Sequence, residues 1–128
     1  MNGLEEILLA TNTYLSTQDV FLEKSQTARG IYDLLLSELY KLGSIHEIKK
    51  AISISFSSDN QKAFAWVIIR NRSIKLVFRT NHRITSQRIQ SVNHVAEKSY
   101  DHTILLDSKI AIDEELMNWL GEAYQIVR

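Results

Sequence analysis

Four histidines, His46, His82, His94 and His102, are the side chains best able to move a proton near neutral pH. None lies three or four residues from another within a helical stretch, so the paired-histidine helix site of a metalloprotease is missing. His102, beside Asp101 at the start of a strand-like run, is the best placed to act as a base or a ligand, and with Tyr100 it marks a candidate pocket. A hydrogen-bonded histidine at a strand end accounts for the same pattern more simply. Asp113, Glu114 and Glu115 could hold a metal, but a helix N-terminus favours the same three carboxylates. The chain has no cysteine, which removes disulfides and thiolate metal sites. It also lacks a nucleophile elbow, a phosphate loop and a dinucleotide glycine pattern. These features predict no metal and no cofactor, and a non-catalytic protein is the leading expectation.

Positive charge is the other chemical resource. The stretch "IIRNRSIKLVFRTNHRITSQR", residues 68–88, carries Arg70, Arg72, Lys75, Arg79, Arg83 and Arg88 and no acid, although the whole chain has a formal net charge of zero. Acids concentrate in the N-terminal region and after residue 96. Two readings compete. In one, the cations are solvated strand ends that guard sheet edges and meet acids across space. In the other, Lys75 and Arg79 share a sheet face with Phe64 and Trp66, and Arg83 and Arg88 extend the positive surface along the next loop. Cations beside aromatic stacking surfaces are what single-stranded nucleic-acid binders use, and another anionic ligand could exploit the same field.

The elements that would position these residues follow from periodicity. Leu4, Ile7, Leu8, Thr11, Tyr14 and Leu15 have helical spacing behind Asn2, and "STQDVFLEK" restarts a helix at Ser16 or Thr17. Ala28, Ile31, Tyr32, Leu35, Leu36 and Leu39 form an amphipathic stripe that Gly43 stops. "ISISF" then alternates as a strand, "SSDNQ" reads as a connection, and "KAFAWVIIR" and "SIKLVFR" are strands separated by Asn71-Arg72. A two-residue turn there, with Asn71 left-handed, would set Ile69 opposite Ile74, Val67 opposite Leu76 and Ala65 opposite Phe78. The other face would then pair Ile68 with Lys75, Trp66 with Val77 and Phe64 with Arg79. "ITSQRIQSVNHVAEKSY" is ambiguous, a short helical turn followed by a weak strand being one reading, and "DHTILLD" is a last strand. Asp113 caps a final helix that buries Leu116, Trp119, Leu120, Ala123 and Val127. The expected fold is α+β, an antiparallel sheet of four to five strands packed by N-terminal helices and a C-terminal helix.

Length and composition predict one domain over residues 1–128, with residues 1–16 as a helical extension. The longest apolar runs are too short to span a membrane, and the N-terminus lacks a basic leader, so no membrane association and a cytoplasmic location are expected. The segments "VFLEKSQTARGIYDLLLSEL", "ISISF", "KAFAWV", "DHTILL" and "IDEELMNWLGEAY" resemble, in this order, an uncharacterised bacterial domain-of-unknown-function family often labelled "predicted transport protein". The resemblance covers residues 17–127 and rests most on Phe64, Ala65, Trp66, Val67, Asp113, Trp119, Leu120, Ala123 and Tyr124. It implies a compact α+β domain without an assigned activity. A lysine usually precedes the first strand in that family, but alignment on Ile54 and Phe56 puts Ala51 there, so no functional lysine is transferred. A looser similarity to small iron-chaperone-like domains raises metal only as a remote alternative.

The leading functional expectation is a non-catalytic binding or interaction module whose basic sheet face and loop recognise an anionic partner, with nucleic acid one candidate. The alternatives are a small enzyme or ligand-binding protein with a pocket near His102, and a homodimerising scaffold domain.

Overall fold

The structure, a computed structural model, describes residues 25–128. The helical readings over residues 2–15 and 16–24 lie outside the described residues. Helix α1 (Gln26–Leu39) begins at Ser25, whose side chain accepts from Ala28 N–H, and it buries Ala28, Ile31, Tyr32, Leu35 and Leu39 at the expected spacing. Six strands follow: β1 (His46–Lys49), β2 (Ser53–Ser57), β3 (Ala63–Ile69), β4 (Ile74–Thr80), β5 (Ile89–Ala96) and β6 (Ser99–Leu106). They form one antiparallel sheet in the order β1-β2-β3-β4-β6-β5. A 3-10 turn (Lys109–Ala111) leads into helix α2 (Glu114–Val127), where Asp113 accepts from Leu116 N–H. The fold is thus α+β, with a six-stranded sheet.

The β3–β4 register is the one that a turn at Asn71-Arg72 demands: Ile69 faces Ile74, Val67 faces Leu76, Ala65 faces Phe78, Ile68 faces Lys75 and Trp66 faces Val77. The turn itself differs from expectation. Gln61 is the only non-glycine residue with positive φ among those described, so Asn71 does not adopt the left-handed conformation. Its carbonyl instead accepts from both Ser25 N–H and Ser25 Oγ, at 3.0 and 2.7 Å. The hairpin tip is therefore tied to the start of α1.

Alternation gives the sheet two faces. One carries Phe56, Ala65, Phe78 and His102 in a single cross-strand row, with Ile54, Val67, Leu76 and Ile104 in the next. Both helices cover this face: Tyr32 of α1 stacks on Phe56, and Trp119 and Tyr124 of α2 meet Phe78 and Phe64. Phe64 is a correction. It was expected beside Trp66 opposite Arg79, but the β2–β3 register slips so that Phe56 faces Ala65 and Ser57 faces Ala63. The slip leaves Phe64 without a β2 partner, and its ring is fully buried edge-on to Tyr124.

Gly43 ends the helical region with φ of 151°, and a Cβ built there would stand 2.5 Å from the Tyr124 hydroxyl. That hydroxyl donates to the Ser44 carbonyl at 3.1 Å, which fixes α2 against the start of β1. Gly43→Ala therefore combines a disfavoured backbone with a displaced tyrosine and should lower unfolding free energy by about 2 kcal/mol. Urea unfolding checks this, and a loss below about 0.5 kcal/mol would show that the close approach is not needed.

Candidate functional site

The second sheet face is built from short rows that the register fixes. Nearest the Asn71 tip, Ser53, Ile68, Lys75 and Leu105 lie side by side. The next row runs Ile48, Ser55, Trp66, Val77, Thr103 and Ser91. The third holds Arg79, Asp101 and Asn93. No described helix packs on this face, and we call it the open face.

Two shallow concavities indent it. One, of about 280 Å³, is lined by Lys50, Ser53, Ser55, Ala63 and Trp66. The other, of about 320 Å³, is lined by Arg70, Ser73, Lys75, Gln90 and Leu105. The first exists because β2 presents small serine side chains beside an indole. The second exists because Arg70 and Ser73 close the hairpin, with Arg70 N–H donating to the Ser73 carbonyl at 2.9 Å, and leave space between the turn and β5.

The cations sort by position. At the far end of β4, Arg79 donates through Nε and Nη2 to both oxygens of Asp101, at 2.6 and 2.9 Å. His82 meets Glu122 at 3.0 Å, and this bond raises the His82 pKa above its usual value. Arg88 binds Asp113, Glu115 and the Ala111 carbonyl while lying over Trp119. The Leu116 N–H, helped by Arg88, holds the Asp113 carboxyl below the ordinary range. At the tip end, Lys50, Arg70, Arg72 and Lys75 form no ion pair within 4.0 Å among the described residues. Within the basic stretch Arg79 and Arg88 are thus neutralised, whereas Arg70, Arg72 and Lys75 at the tip, and Arg83 over Tyr100, have no carboxylate partner among the described residues.

This arrangement separates the residues singled out in the sequence. Trp66, Lys75 and Arg79 do share the open face, and the Arg79 guanidinium lies 5.7 Å from the Trp66 ring centroid. Arg79, however, is committed to Asp101. Arg83 lies over Tyr100, which stacks on His94 at 4.3 Å, and the row containing Tyr100 projects from the helix-covered side. Arg88 clamps the start of α2 and does not extend the open face, because the acids that cap that helix reach it first. Lys50, Ser53, Ser55, Arg70 and Gln90 were missed. The hairpin register carried two positions past Ile68 and Lys75 would have found Arg70 and Ser73, whereas Gln90 depended on the equivocal strand β5.

The pocket near Tyr100 and His102 does not form. His102 is fully buried, its ring is 5.1 Å from Phe78, and its Nε2 accepts from Ile84 N–H at 2.9 Å. Burial pushes its pKa down, so the ring stays neutral, and Nδ1 is buried without a hydrogen-bond partner. A histidine in this setting has no path to a solvent-borne substrate.

Ser44, His46 and Asp59 contain the residue types of a hydrolase triad. Ser44 and His46 both bond the same Asp59 oxygen, at 2.8 and 2.7 Å, so the serine hydroxyl is not directed to a histidine base. The trio ties β1 to the β2–β3 turn, and the His46 bond is the largest cause of the lowered Asp59 pKa. Among the described residues, no group of three potential ligands gathers at metal-binding distance, and no helix is long and apolar enough to cross a membrane.

No curated protein and no solved structure matches this chain. A family model described as a domain of unknown function (DUF5655) matches residues 17–127, which include the sheet and both described helices. The chain therefore belongs to the DUF5655 family.

Proposed function

We propose that this domain is a non-catalytic binding module that recognises an anionic partner through the tip end of the open face. The observation that carries the reading is the segregation of charge. Among the described residues, Arg79, His82 and Arg88 have carboxylate partners, whereas Lys50, Arg70, Arg72 and Lys75 have none. Asp107, which follows β6 at the same end, does not pair with them either. Like charges grouped without counter-charges repel one another, and an anion placed among them relieves that repulsion. Three of these cations, Lys50, Arg70 and Lys75, line concavities with hydroxyl and amide donors, which gives an anion hydrogen bonds as well as a field.

The test is a double charge reversal, Arg70→Glu with Lys75→Glu. Both side chains are free of partners, so the fold should be retained. Binding to a generic polyanion such as heparin or polyphosphate at about 0.1 M salt should weaken by tenfold or more. Arg83→Glu with Lys98→Glu makes the same change in net charge away from the open face and should weaken binding by less than about threefold, since screening confines the field to about 10 Å at 0.1 M salt. Equal losses from the two double variants, or wild-type protein that binds no polyanion, would overturn the proposal.

A further inference from the structure

We infer that the anionic partner is a single-stranded nucleic acid, lying across the strands with a base against Trp66 and its backbone near Lys50, Arg70 and Lys75. This deepens the anion-recognition reading and rests on it.

Three features favour this polymer over other anions. The first is alternation: each concavity joins a cation to an apolar surface, Lys50 with Trp66 and Lys75 with Leu105, and Ile68 stands between the two in the tip row. Single strands present the matching alternation of phosphate and aromatic base, and base stacking on a protein ring is tolerant of sequence. The second is span. Neighbouring strands are about 4.8 Å apart, so β2 to β5 covers roughly 19 Å, too broad for one small anion to use both concavities. The third is the platform. Asp101 fixes the Arg79 guanidinium beside the Trp66 ring, and the serines of β2 leave space on the other side of the indole. Arg79 is here a positioning residue, because its charge is already matched.

A duplex fits less well. Reading a major groove requires a protruding helix or two-stranded ribbon. The open face carries no described helix, and the β3–β4 tip is bonded back to Ser25. An acidic peptide could use the cations, but it gives the indole no role.

The experiment uses the whole chain and reads tryptophan fluorescence. Trp119 is enclosed by Phe78 and Arg88, so quenching on ligand addition reports chiefly on Trp66. An oligothymidylate of twelve nucleotides, the matching duplex, polyphosphate and polyglutamate are compared at several salt concentrations. The oligothymidylate should quench and bind at least tenfold more tightly than the other three. Its log–log salt slope should be about −2, for roughly three phosphate contacts. Trp66→Leu should weaken oligothymidylate binding tenfold or more and leave polyphosphate binding unchanged, while Trp66→Phe, which keeps a ring, should stay within about threefold of wild type. Thermal unfolding of both variants separates a binding loss from a folding loss. Polyphosphate or polyglutamate binding as tightly as the oligonucleotide, with Leu and Phe at position 66 equivalent, would overturn the nucleic-acid inference and leave anion recognition standing. Failure of all four ligands to bind would remove both.

Discussion

Replacing Arg79 with methionine is expected to lower stability by about 2–4 kcal/mol, far more than removing an ordinary surface charge. The reason is the partner left behind. The Asp101 side chain is 11% exposed and receives two charge-assisted bonds from Arg79, whose own side chain is 43% exposed. Methionine fills similar volume but leaves the carboxylate in a poorly solvated row beside Asn93, with no charged donor to replace the guanidinium. The double variant Arg79→Met with Asp101→Leu removes both charges and should recover to within about 1 kcal/mol of wild type. Urea titrations of the two single variants and the double variant close the cycle. A cost below about 0.5 kcal/mol for Arg79→Met alone would mean that the guanidinium is free to serve a ligand, against the structural role assigned to it.

That pair also shows where the sequence stops being informative. Arg79 and Asp101 are 22 positions apart, and Arg88 and Asp113 are 25 apart. Nothing local says which cations will be neutralised, because the strand order that joins them is set by the whole sheet. The β3–β4 hairpin was legible for the opposite reason. Two strongly apolar runs with only Asn71-Arg72 between them allow one close register, and the alternation of Ile68, Lys75, Trp66 and Val77 follows from it. The described helices were legible through their spacing and through Asp113 and Gly43, whereas the Ser25 cap was not read from the sequence. Strand β1 was not, because "HEIK" is a short edge with charged residues and no alternating core pattern. Strand β5 was equivocal for a related reason: as the other edge it is mostly exposed, so neither of its faces is selected to be apolar.

Phe64 marks a second kind of limit. Strict alternation sends it to the side of Trp66, and the inserted residue between Phe56 and Ser57 in the register reverses that assignment. A bulge leaves no mark in the polar and apolar pattern when the displaced residue is aromatic on either reading. The candidate site suffered most from this. Its aromatic component shrank from two rings to one, while its basic component moved from the loop after β4 to the hairpin tip and Lys50. The row that holds Ser53, Ile68, Lys75 and Leu105 follows directly from the register.

Acid should destabilise this protein through His102. In the unfolded chain its imidazole titrates near the ordinary value of 6.5, whereas burial depresses the value in the folded state. Between those two values the unfolded chain binds more protons, so stability is full above pH 6.5 and declines as pH falls through the window below it. His82 acts with the opposite sign. Its bond to Glu122 raises its folded pKa, so its contribution is present below pH 6.5 and lost as pH rises through the raised value. Because His82 and Glu122 are about half exposed, solvent screening keeps that contribution small. His82→Ala should therefore remove a small gain in stability on acidification above pH 6.5 and should not deepen the loss below it. His102→Phe keeps a ring against Phe78 and should abolish the acid loss, at the cost of leaving Ile84 N–H without its acceptor. His102→Ala adds a cavity to that loss and should cost about 3–5 kcal/mol at pH 7. Unfolding free energies measured from pH 8 to pH 5 decide the matter. A wild-type acid slope that persists in His102→Phe would place the titrating group elsewhere and overturn the assignment to His102.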